Sequence, residues 1–169
     1  MATKFTITHE INCNAETFWK IFLDKSFNEE LFRRELGFPA YDIVEQRETD
    51  SEIFRKISGQ PKMDLPGPVA KVLGSGFRYT EEGRLDKSAK VWSWKMIPST
   101  MADKLRQEGT MRIEPIGDSK VRRIADMTME AKIFGIGGLL ESTVEKQLRE
   151  GWDHSARFIN KWIADGKAT

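Results

Sequence analysis

The 169-residue chain contains one cysteine, Cys13, and two histidines, His9 and His154. A single thiol cannot close an internal disulfide, and these few Cys and His residues show no zinc-ligand spacing. Neither sign of charge is in surplus: 27 Lys and Arg stand against 26 Asp and Glu, a formal net charge of +1. Nucleic-acid binders usually carry a visible basic excess, so nucleic acid is not an expected partner. No run of about 18 apolar residues occurs, which leaves no candidate for a membrane-spanning helix. The opening MATKFTITHE alternates polar and apolar residues, unlike a secretory signal, so a reducing cytoplasmic setting is expected. Repeats, low-complexity tracts and Pro/Ser-rich linkers are missing as well.

Catalytic signatures are equally scarce. There is no G-x-S-x-G, no His-Glu-x-x-His and no plausible Cys/His pair, so a hydrolase built on an activated nucleophile is not expected. The glycine-rich stretch Phe134 to Leu140 is not followed by Gly-Lys-Ser/Thr and is not a phosphate loop. No catalytic residue is assigned, and no metal or cofactor is called for.

Aromatic side chains, by contrast, are plentiful: five Trp and ten Phe in a chain that is 39% hydrophobic. A chain of this length forms one domain, here residues 1–169, and buries roughly 70% of its unfolded surface. The question is what so many large apolar groups surround.

Periodicity locates the elements. Phe5, Ile7, His9 and Ile11 alternate with Thr6, Thr8 and Glu10, the mark of a half-buried strand. Asn14 is placed to cap a helix bearing Phe18, Trp19, Phe22 and Leu23. Ser26 and Glu29 have capping-box spacing for a second short helix that ends at Gly37. Strands are expected at Tyr41–Thr49, Glu52–Ser58, Phe77–Leu85, Lys90–Ile97, Lys104–Glu114 and Lys120–Ile133. The Pro/Gly-rich segment from Gln60 to Gly76 interrupts them, with one helical turn at Val69–Leu73. From Gly137 to Ala164, Leu140, Val144, Leu148, Trp152, Ile159 and Ile163 trace one face of a long amphipathic helix, with a bend conceivable at Gly151. One face of a meander sheet needs cover, and only this helix is long enough to supply it. The expected fold is α+β, a curved antiparallel sheet around a long C-terminal helix.

This element order resembles the START-like (SRPBCC, helix-grip) superfamily. The stretches F-T-I-T-H-E-I-N-C-N-A-E-T-F-W-K-I-F-L-D, V-W-S-W-K-M-I-P-S-T and L-R-E-G-W-D-H-S-A-R-F-I-N-K-W-I resemble a bacterial START-like family of unknown function across essentially the whole chain. The resemblance implies a cavity for a hydrophobic ligand; fold alone does not say which ligand.

Strand parity then nominates a wall. Trp92, Trp94 and Met96 share one face, Met111 lies on the corresponding face of the next strand, and Met127 and Met129 on that of the last. Leu148 and Trp152 face them from the helix. Methionine suits a wall that must fit an irregular guest, although the same parity serves an ordinary core in which methionines fill gaps. His9, Tyr79 and Arg123 are polar residues on apolar parity and are candidate anchors for a polar head group, with a hydrogen-bonded core role as the alternative for His9 and ion pairing for Arg123. Leu65, Val69, Val72 and Leu73 in the Pro/Gly loop, and Phe134 and Ile136 before the helix, are candidate gates that could touch a membrane surface during ligand exchange; packing on the domain is the alternative.

The functional expectation is binding or transport of a hydrophobic small molecule, lipid, sterol-like or polyketide-like, in an internal cavity. A cyclase, aromatase or dehydratase acting in the same space is the alternative, and a protein-interaction module a third.

Overall fold

The first and last strands lie side by side. In the computed structural model, which describes residues 2–168, β1 (Thr3–Ile11) pairs antiparallel with β7 (Val121–Ala131), from Thr3 opposite Met129 to Ile11 opposite Val121. Between them in sequence come β2 (Ala40–Glu48), β3 (Glu52–Gln60), β4 (Tyr79–Asp86), β5 (Val91–Pro98) and β6 (Leu105–Pro115). The sheet order is β1-β7-β6-β5-β4-β3-β2, antiparallel throughout. Strands β2 to β7 are thus a meander, and β1 and β2 form the two edges of the sheet. A bulge between Ile43 and Glu45 interrupts the β2–β3 ladder.

The helices between the edge strands start where side chains can satisfy free backbone N–H groups. Asn14 caps α1 (Ala15–Leu23), accepting from Thr17 N at 2.8 Å. The second cap differs from expectation: Asp24, not Ser26, accepts from Phe27 N at 2.7 Å and starts α2 (Lys25–Glu29). Asp24 has extended backbone and both ends α1 and opens α2, so Ser26 already lies inside the helix. The helix continues as a π-helical segment over Glu30–Glu35, and Gly37 follows with φ +71°. Between β3 and β4, α3 (Gly67–Leu73) extends the expected helical turn by two residues. Strand β4 begins at Tyr79 rather than Phe77 and β7 ends at Ala131, because Ile133 O already accepts from Gly137 N at the start of α4.

Helix α4 (Gly137–Ala164) has 28 residues, about 42 Å of helix, and runs unbroken through Gly151. Its close contacts with the sheet are with β1 and β7. Near its start the buried Glu141 carboxylate accepts from Thr3 Oγ1 at 2.7 Å and Ala131 N at 3.0 Å. Near its end Asn160 accepts from Asn12 N at 2.8 Å and donates to Glu10 O at 3.2 Å. The long helix is therefore tied at both ends to one edge of the sheet. This is the helix-grip, START-like architecture that the resemblance implies.

Apolar packing forms two separate clusters. The larger joins Phe18, Ile21 and Phe27 to Ile11, Trp92, Met111, Met127 and Ile159. The smaller joins Val69 and Leu73 of α3 to Leu105, Met129, Ala131 and Leu140, closing the end of the sheet where α4 begins. Among the described residues no helix is long and apolar enough to cross a membrane.

Candidate functional site

The concave face is fixed by register. Trp92 lies opposite Leu85 and Met111, Trp94 opposite Gly83 and Gly109, and Met96 opposite Glu81 and Gln107. The two tryptophans fill space left by glycines: the Trp92 indole lies against Gly83, and a Cβ on Gly109 would fall 2.5 Å from the Trp94 ring. Trp94 stacks on Trp152 of α4 at 5.7 Å and donates from Nε1 to Gln107 Oε1 at 3.3 Å. Trp92 meets Phe22 of α1 edge-on at 5.0 Å. The inward parity expected for Trp92, Trp94, Met96, Met111, Met127 and Met129 is thus the observed one.

These residues do not share one environment. Met111 and Met127 are buried in the larger cluster, and Met129 is buried under the α3 residues Val69 and Leu73. Met96, Tyr79 and Glu81, and Leu148 and Trp152 on the helix, lie on the inward faces yet keep part of their surface accessible. On β5 the concave face is covered by Trp152 of α4 at Trp94 and by Phe22 of α1 at Trp92, and the part-accessible residues Met96, Tyr79 and Glu81 lie beyond these contacts. Among the gate candidates, Val69 and Leu73 are buried, Leu65 and Ile136 are half-buried, Val72 is partly exposed and Phe134 is fully exposed.

The three polar anchors are not brought together. His9 and Arg123 face each other across β1 and β7, whereas Tyr79 stands on β4 at the opposite end of the sheet. Arg123 donates to His9 Nδ1 at 3.1 Å, Trp152 O at 2.9 Å and Ser155 Oγ at 3.0 Å, and its guanidinium lies 4.6 Å over the Trp152 ring. His9 Nε2 meets Asp153 Oδ1 at 2.6 Å. This pair clamps α4 to the sheet.

A second polar group, none of whose members is a candidate from the sequence pattern, comprises Tyr41, Arg55 and Glu81. Arg55 is buried with its guanidinium between the rings of Phe22 at 4.6 Å and Trp92 at 5.0 Å, and Nη1 donates to Phe22 O at 2.8 Å. Tyr41 stacks flat on Phe32 at 4.2 Å, and its buried hydroxyl has no partner among the described residues. Burial pushes the Glu81 carboxyl up from 4.5 to about 7, opposed by the charge of Arg55. Burial likewise raises the Tyr41 and Tyr79 hydroxyls. The signal was present: Glu81 follows Phe77 and Tyr79 on one parity, and Arg55 lies between Ile53 and Ile57 on another. A charge on an apolar parity marked Arg123, and the same mark applies here.

The convex face carries a different feature, an open hollow of about 590 Å³ bordered by Thr6, Ser93, Thr110 and Asp126. Trp94, Gly109 and Met127 also border it, but none of His9, Arg123, Tyr41, Arg55 and Glu81 does.

Residues 6–163 match a family described as a protein of unknown function, DUF2505. The chain belongs to that family. No curated protein matches the sequence of this DUF2505 chain. Its fold is shared with solved structures of low identity. TTHA0849 of Thermus thermophilus is 18% identical with a TM-score of 0.69, covering 97% of this chain and 99% of its own. The Zhui aromatase/cyclase of Streptomyces sp. R1128 is 12% identical with a TM-score of 0.69, covering 96% of each chain. A START superfamily protein of Mycobacterium smegmatis is 16% identical with a TM-score of 0.61, covering 96% of this chain and 97% of its own. At such identities the likeness establishes the START-like fold of the DUF2505 chain, and its chemistry must be argued from its own residues.

Proposed function

We propose that this DUF2505 protein binds or carries a hydrophobic small molecule between α4 and the concave face of β3, β4 and β5, as a single domain in the cytoplasm. The observation that carries this reading is that Met96, Tyr79 and Glu81, on inward-facing positions of β4 and β5, are only partly covered. Trp94, Trp152 and Met96 offer an apolar, adaptable wall, and a guest burying about 300 Å² of apolar surface would gain about 7.5 kcal/mol before ordering costs. Lipid, sterol-like and polyketide-like molecules all have this character. Val69 and Leu73 close one end, and Phe134 and Val72 project beside it as the part that touches a membrane surface during exchange.

Native mass spectrometry and solvent extraction of the purified protein test this reading. A copurifying apolar molecule supports it; protein that is empty and takes up no apolar ligand contradicts it.

A cyclase or dehydratase acting in the same space is the second reading, favoured by Glu81. A carboxyl raised to about 7 can both give and take a proton near neutral pH. Turnover of a polyketide-like substrate that disappears in Glu81→Gln with the fold intact would establish it.

A further inference from the structure

Three groups on neighbouring strands have hydrogen-bonding capacity that the protein does not use. In the β3–β4 ladder Ile57 lies opposite Glu81 and Arg55 opposite Gly83, so Arg55 and Glu81 are diagonal neighbours on the concave face. Tyr41 on β2 lies opposite Gly59, which in turn lies opposite Tyr79, and the Tyr79 ring occupies the space above Gly59. Aromatic rings cover Arg55, and one of its five N–H groups is spent on Phe22 O. The guanidinium is held in place with donors to spare. The Tyr41 hydroxyl is buried without a partner among the described residues, which costs about 1–3 kcal/mol unless something meets it. No hydrogen bond from the described residues steadies the Glu81 carboxyl, although the charge of Arg55 acts on it.

We infer that Arg55 and the Tyr41 hydroxyl receive the carboxylate of an apolar monocarboxylic acid, and that Glu81 takes up one proton from solvent as this ligand binds. The inference rests on the binding reading above and names the ligand's head group. A carboxylate accepts from a guanidinium and from a hydroxyl with charge-assisted strength, which a hydrocarbon lacks and a neutral alcohol matches only weakly. One guanidinium offsets one negative charge, and two carboxylates sharing an enclosed site cannot both stay ionised. The ligand's charge replaces that of Glu81, whose protonation leaves the site neutral. The other titratable groups facing Glu81 are Tyr79 on its own strand and Tyr41 on β2; Met96 faces it from β5, and Glu29 of α2 acts on Tyr41. Burial already brings Glu81 to about 7, so the proton is taken up at little cost near neutrality.

Calorimetric titration with dodecanoate, dodecanol and methyl dodecanoate tests this, run at about pH 8 in two buffers of different ionisation heat. Dodecanoate is expected to bind at least about tenfold more tightly than either neutral analogue, with uptake approaching one proton. Its affinity should fall about tenfold per pH unit above the Glu81 titration. Glu81→Gln should bind dodecanoate without proton uptake or that pH dependence. Tyr41→Phe, which keeps the stack on Phe32, should weaken dodecanoate severalfold and leave dodecanol unchanged. Equal binding of the three ligands, or carboxylate binding without proton uptake, overturns the inference while the apolar-binding reading stands. Binding of none of them removes both.

Discussion

Nδ1 of His9 lies 3.1 Å from Nη2 of Arg123, and a guanidinium can only donate. Nδ1 must therefore accept, and the imidazole proton sits on Nε2, donated to Asp153 Oδ1 at 2.6 Å. The geometry selects the neutral ring, because protonating Nδ1 would set two donors face to face. Burial accordingly lowers the His9 pKa from its ordinary 6.5, with Asp153 opposing and Arg123 assisting.

A pH dependence with a definite sign results. A histidine whose folded pKa is lowered leaves the unfolded chain with more bound protons in acid, so His9 costs stability as pH falls through 6.5 towards its folded value. Glu81 works in the opposite sense: raised from 4.5 to about 7, it costs stability as pH rises across that interval. The two separate in variants. The His9 ring resonance should titrate below 6.5 by NMR, and Glu81→Gln should gain more stability at about pH 8 than at about pH 4.5. A His9 titration above 6.5 would refute the assignment of the neutral ring.

Tyr41→Phe removes a buried hydroxyl that has no partner among the described residues and keeps the ring packed on Phe32. Stability of the ligand-free protein should hold or rise by about 1 kcal/mol, measured by the urea midpoint. A loss of stability would show that the hydroxyl is bonded in solution.

Gly109→Ala should destabilise by about 1–3 kcal/mol, since its Cβ would meet the Trp94 indole at 2.5 Å and the Asp126 carbonyl at 2.6 Å. Tryptophan fluorescence should change as well, because displacing Trp94 disturbs its stack on Trp152.

Phe134 is fully exposed and packs on nothing that folding requires. Phe134→Ser should leave the urea midpoint within about 0.5 kcal/mol of the parent and slow ligand uptake from vesicles. Unchanged uptake would remove this residue from the gate.

Much of the architecture is legible in the chain because alternation is strict where one face is buried. Trp92, Trp94 and Met96 read as one face at once, and the recurrence from Leu140 to Ile163 gives α4 its observed bounds, Gly137 to Ala164. The cap of α2 is less legible because Asp24 and Ser26 are both good N-caps, and where α1 ends decides between them. The polar pair His9 and Arg123 is visible by parity, but their partners Asp153 and Ser155 lie on a helix distant in sequence. Tyr41, Arg55 and Glu81 belong to three strands whose juxtaposition depends on register and on the β2 bulge, neither of which periodicity specifies.

On the proposed reading, the concave face of β3, β4 and β5 borders space for an apolar guest. A crystal structure of the protein grown with dodecanoate tests it most directly. The alkyl chain is expected between α4 and Trp94, Met96 and Leu148, with its carboxylate at Arg55 and Tyr41. Side chains of α4 packed solidly onto Glu81 and Met96, with dodecanoate absent or bound elsewhere, would contradict it.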